Sequence, residues 1–264
     1  MKRLPRFLCL ALLIGLCHGA IAQISQKVVD IPTRAGVTQR FLYLAPQSPG
    51  AAVILFAGGH GGLQIFQNGS FKWGEGNFLV RTRQLFAEHG LSVAVVDAPS
   101  DRQSAPFLNG FRQTPEHVAD IKAVIAWLRQ QSNVPVWLVG TSRGTQSAAF
   151  VATQLGAGNG GPDGLVLTST ILSDRASRPV PAMALQNLAI PVLVVHHEQD
   201  GCKLCAYGEI PALMQKLGPA PRKELVTIKG GNDRGDPCEA FAYHGFNGQE
   251  PDAVARIAEW ILAK

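Results

Sequence analysis

The chain has 264 residues, 46% hydrophobic and 16% charged, proportions that exclude a disordered or fibrous chain and suit one domain with a substantial core. Its formal charge is +5, but Lys2, Arg3 and Arg6 lie in an N-terminal segment expected to be removed, and taking those three charges from +5 leaves +2. So small a positive balance gives nucleic acid no support as a partner.

The basic start, the apolar run Phe7 to Cys17 and the small-x-small site Ala20-Ile21-Ala22 together read as a secretory signal. On this reading residues 1–22 are lost, residues 23–264 form a single domain, and the protein is exported to a periplasm or to the medium. The apolar run is short for a bilayer span and no other segment approaches the needed length, so no stable membrane insertion is expected. Cys9 and Cys17 leave with the signal. The remaining Cys202, Cys205 and Cys238 imply, in an oxidising compartment, one disulfide and one spare thiol, in any of three pairings.

Lys27 to Pro32 and Gln39 to Tyr43 alternate as two edge strands around the turn Arg34-Ala35-Gly36, which predicts an antiparallel margin. Six further runs are nearly continuous in Val, Ile and Leu: Ala52 to Ala57, Leu91 to Asp97, Val134 to Gly140, Gly164 to Ser169, Ile190 to His196 and Glu224 to Lys229. Such runs mark strands buried on both faces of a parallel sheet. Helical periodicity falls between or after them, at Phe78 to His89, Thr114 to Gln131, Thr145 to Leu155, Ala206 to Leu217 and Asp252 to Leu262. The alternation predicts a doubly wound, mostly parallel α/β sheet. The connection from Thr170 to Leu188 is short, so little or no lid is expected over the site.

Gly140-Thr141-Ser142-Arg143-Gly144 follows a buried strand and opens a helix, which is the context that the G-x-S-x-G pattern needs. A residue on so sharp a turn presents its hydroxyl outward, and side chains at positions 140 and 144 would collide with the neighbouring strand and helix. The amide of Arg143 is then free to stabilise an oxyanion at a helix N-terminus.

With these residues the chain resembles the α/β-hydrolase family, and the resemblance runs over nearly all of the mature sequence, within a subgroup of small exported hydrolases. It implies the chain order nucleophile, acid, histidine. Ser142 matches the nucleophile. Asp200, a few residues beyond the strand that ends at His196, matches the acid, and His244 in Tyr243-His244-Gly245-Phe246 matches the base. Asp174, after the preceding strand, is the rival acid. A serine in place of cysteine separates the chain from the dienelactone-hydrolase branch. The family draws a second oxyanion amide from the loop after the first core strand, here Phe56-Ala57-Gly58-Gly59-His60-Gly61-Gly62, and Gly59 and His60 are the expected donors. If acid and base share a site, their loops converge, which favours Cys202 with Cys238 as the disulfide.

Other patterns carry less. Gly156 to Gly161 satisfies G-x-G-x-x-G but follows a helix instead of a strand, so it reads as a loop. His196 and His197 are adjacent at a strand end and point to opposite faces, so no metal site is read there. Phe66, Trp73 and Phe107 are guesses for pocket walls. The expected chemistry is two-step acyl transfer on a small-molecule or polymeric ester, with no metal or organic cofactor. A peptidase or amidase with the same triad, a non-catalytic hydrolase-like binding protein, and a thiol-disulfide protein using Cys202 and Cys205 are the alternatives.

Overall fold

The computed structural model describes residues 24–218 and 220–263, so the expected signal segment and its cleavage site lie outside the described residues. Eight strands form one sheet in the order β1-β2-β4-β3-β5-β6-β7-β8. The margin is antiparallel: β1 (Ser25–Arg34) pairs with β2 (Val37–Ala45), and β2 with β4 (Leu91–Val96). From β4 onward β3 (Ala51–Phe56), β5 (Val136–Thr141), β6 (Gly164–Thr168), β7 (Val192–His197) and β8 (Lys223–Ile228) run parallel. Every residue of β3 to β7 is buried, which is why these runs read as unbroken apolar segments.

Helices cover both faces. One core packs under α3 (Pro115–Gln131), α4 (Gly144–Gln154) and α5 (Ile210–Lys216), the other under α1 (Phe78–Arg81), α2 (Arg83–Glu88) and α6 (Glu250–Leu262). Two expected helices come out differently. The run Phe78 to His89 is broken at Thr82, whose Oγ1 donates to the carbonyl of Phe78 at 2.7 Å while its backbone leaves helical geometry at φ −96° and ψ 2°. The run from Ala206 begins with a 3-10 turn at Tyr207–Glu209, and the α-helix starts at Ile210, because Pro211 lacks an N–H and fits only the first turn.

The parallel strands place their C-terminal ends on one edge of the sheet, and the loops after β3, β5, β6 and β7 gather there. This is where open α/β sheets bind ligands. The connection after β6 holds two 3-10 turns, Val180–Ala182 and Leu185–Asn187, and no α-helix that could act as a lid. No helix among the described residues is long and apolar enough to cross a membrane.

Candidate active site

β5 delivers Ser142 to the edge of the sheet. Its backbone has φ +51°, a left-handed conformation that costs an L-residue about 1 kcal/mol or more. The turn is held on both sides: the Ser142 amide donates to the carbonyl of Thr168 at 3.1 Å, and Thr145 Oγ1 donates to the Ser142 carbonyl at 2.6 Å. The flanking glycines are sterically required. A Cβ at Gly140 would lie 2.5 Å from the carbonyl oxygen of Gly144, and one at Gly144 would overlap the carbonyl of Phe56.

The loop after β7 carries Asp200, which is 8% exposed, and the segment before α6 carries His244, which is 4% exposed. His244 Nδ1 lies 2.9 Å from Asp200 Oδ2. An ionised carboxylate only accepts, so Nδ1 holds the proton and Nε2 presents its lone pair. Nε2 is buried and has no hydrogen-bond partner among the described residues. His196 Nε2 approaches the same Asp200 oxygen at 3.4 Å and donates to the carbonyl of Cys205 at 2.8 Å, while the Cys202 amide donates to Asp200 Oδ1 at 2.9 Å. Burial alone would raise the Asp200 pKa. The hydrogen bonds from His196 and His244 outweigh it and hold the carboxyl at about 2, so Asp200 is ionised across the neutral range.

The His244 segment is itself fixed from several sides. Ser169 Oγ donates to the His244 carbonyl at 2.6 Å, and Phe246 closes the 3-10 turn in a left-handed conformation at φ +55°. Arg81 donates from Nη2 to the carbonyl of Gly245 at 2.6 Å and from Nη1 to that of Gly76, and pairs with Glu250 at 2.9 Å. Cys202 and Cys238 form a disulfide, which staples the loop of Asp200 to the segment leading to His244.

Ser142 and His244 line one cleft of about 670 Å³, together with Gly58, Gly59, Asn77 and Arg143. The amides of Gly58, Gly59 and Arg143 make no hydrogen bond among the described residues and remain free donors. Gly58 comes so near the serine that a Cβ there would lie 3.0 Å from that of Ser142. The loop is braced by Arg112, which donates to the carbonyls of Ala57 and Gly59, each at 3.1 Å, and to Ser147 Oγ on α4 at 2.9 Å. Beyond the loop, Asp97 accepts from the amides of Leu63, Gln64 and Ile65.

Other residues singled out in the sequence fall elsewhere. Asp174 does not reach His244: it accepts from Arg143 Nη1 at 2.8 Å, from Ser177 Oγ at 2.6 Å and from the amide of Ala176. His60 is outside the cleft lining. Its ring sits between Trp73 and Phe107, with centroids at 3.9 and 4.4 Å, and its Nδ1 accepts from the Gly62 amide. Of the three suggested walls only Trp73 lines the cleft. Phe107 is spent on the His60 stack, and Phe66 stands half exposed beside the Ile65–Phe71 bridge. Phe241, which had no local signal, lines the cleft instead.

Cys205 is buried beside the disulfide, and burial pushes its thiol pKa far up, so it is a poor nucleophile. This removes the basis for a thiol-disulfide reading of Cys202 and Cys205. The Sγ atoms of Cys202 and Cys205 and a ring nitrogen of His244 lie within 4.8 Å of one another, but a disulfide sulfur has no thiolate to give a metal.

No protein-family model and no curated protein matches this sequence. Solved structures do match in shape. An esterase of Pyrococcus furiosus superposes with a TM-score of 0.64 at 14% identity, over 90% of this chain and 91% of the other. A dienelactone hydrolase of Anabaena variabilis gives 0.58 at 15% identity, over 91% and 96%. An α/β serine hydrolase of Xanthomonas campestris described as lacking a lid gives 0.57 at 16% identity, over 89% and 95%. The sheet order, the serine turn after β5, the lidless connection and these superpositions lead to one conclusion: the chain has the fold of the α/β-hydrolase superfamily.

Proposed function

We propose that the protein is a serine hydrolase that cleaves carboxylic esters. The observation that carries this reading is His244, with Nδ1 committed to a buried carboxylate at 2.9 Å and Nε2 unpartnered in the cleft that also holds Ser142. In the reaction His244 Nε2 takes the proton of Ser142 as the hydroxyl oxygen attacks the ester carbonyl. The free amides of Arg143 and of Gly58 or Gly59 receive the developing oxyanion. His244 then protonates the leaving alcohol, and water, deprotonated by the same nitrogen, releases the acid from the acyl-enzyme. Asp200 holds the imidazole in its tautomer and balances its charge.

That an esterase and a dienelactone hydrolase are among the structural neighbours agrees with an ester substrate. The Cys202–Cys238 bridge fits export to an oxidising compartment. The test is hydrolysis of a short p-nitrophenyl ester by wild type, Ser142→Ala and His244→Ala, with a fluorophosphonate label mapped by peptide. Each variant should lose at least about a thousandfold, because the members of a triad act as a unit. Labelling at another residue, or near wild-type turnover in either variant, would refute the mechanism.

A further inference from the structure

A second cavity, of about 510 Å³, shares Arg143 as a lining residue with the catalytic cleft. Three arginines line it, Arg112, Arg143 and Arg178, with Asn109, Gln113 and Gln146, and no acidic residue does. Arg112 is the unusual member. It is 5% exposed, its Nε has no hydrogen-bond partner, and its contacts are all neutral: two carbonyls and a hydroxyl. A buried guanidinium normally has a carboxylate beside it, because it cannot lose its proton and its charge is costly away from water. Burial, and after it the neighbouring Arg143, both disfavour the charge on Arg112. Asp174 answers Arg143 alone, at 2.8 Å. The Arg178 side chain forms no ion pair or hydrogen bond among the described residues, and its backbone carbonyl is held by Gln113 and Gln146.

We propose that this cavity is an anion-binding subsite that takes a free carboxylate borne by the substrate, so that the preferred esters are acidic ones. The proposal rests on the hydrolase reading above. Arg143 lines both cavities, so a short substrate carrying an ester and a carboxylate can span the two. Guanidinium groups are the donors that a carboxylate accepts from best, in paired hydrogen bonds.

The experiment compares kcat/KM for two matched pairs at pH 7 and low salt. Mono-p-nitrophenyl glutarate against p-nitrophenyl valerate places the carboxylate on the acyl side, and 4-carboxyphenyl acetate against phenyl acetate places it on the leaving side. Wild type should favour the acidic member of at least one pair. That preference should fall about fivefold in Arg178→Gln, fall further in Asn109→Asp, which puts a carboxylate into the cavity, and survive in Arg178→Lys. An acid-to-neutral ratio that stays the same in all variants for both pairs overturns the subsite while leaving the hydrolase intact. If wild type cleaves none of the four esters, the hydrolase reading fails instead. The subsite is then judged by thermal shift with glutarate alone: stabilisation of wild type but not of Arg178→Gln supports it, and equal or absent stabilisation refutes it.

Discussion

Replacing Cys202 and Cys238 together by alanine removes the bridge without leaving a thiol that could pair with Cys205. The two cysteines are 36 residues apart, and closing a loop of that length restricts the unfolded chain by an entropy worth about 4 kcal/mol at room temperature. For a domain of this size each kcal/mol shifts the melting temperature by about 2–4 °C, so the double variant should melt about 8–15 °C lower. Function should fall with it. The bridge joins the loop whose Asp200 accepts from the Cys202 amide to the segment that leads to His244. Loosening that junction misplaces acid and base together, and kcat/KM should drop about tenfold or more. Differential scanning calorimetry and ester hydrolysis at 20 °C, where both proteins are folded, separate the two effects. A melting shift under about 3 °C would refute the loop-entropy argument. A large shift with unchanged turnover would show that packing and the His244–Asp200 hydrogen bond hold the site unaided.

The carboxylates should rank clearly in the same assay: Asp200→Asn loses at least about a thousandfold in kcat, whereas Asp174→Asn, which touches only Arg143 and its own loop, loses less than about tenfold. His196→Phe removes a donor from Asp200 and strands the carbonyl of Cys205, and should cost about 1–3 kcal/mol of stability by denaturant titration. Acid titration should show the depressed pKa of Asp200. Its ordinary value of 3.8 falls to about 2 on folding, so its contribution of about 2 kcal/mol is complete above about pH 5 and is lost as pH falls toward 2. In Asp200→Asn that window should flatten, and an unchanged acid profile would refute the assignment.

The sheet was legible because β3 to β7 are buried on both faces and had no choice but to be apolar throughout. The serine turn was legible because Gly140 and Gly144 stand where side chains would collide with backbone. Thr82 was not, since an apolar period carries no record of a hydroxyl turning back on the Phe78 carbonyl. Nor were the braces of the site. Arg112 reaches carbonyls some 55 residues away in sequence, and Arg81 reaches Gly245 across 164. Contacts of that span are set by how the layers pack and leave no local pattern around either arginine. His196 was read as a strand end for the same reason. Its tie to Asp200 depends on how the chain turns after β7, and only the neighbouring His197, facing the carbonyl of Gly230, bears out the alternation that the strand imposed.

The left-handed backbone at Ser142 also bears on how this protein would respond to selection. Glycine accepts φ near +51° at no steric cost, whereas the serine carries about 1 kcal/mol of strain there. A library screened for heat resistance alone would therefore enrich glycine at position 142 and discard the nucleophile while gaining stability. The residue proposed to do the chemistry is thus held in place only by a requirement for turnover, and any directed-evolution campaign on this scaffold must couple its stability screen to an activity readout.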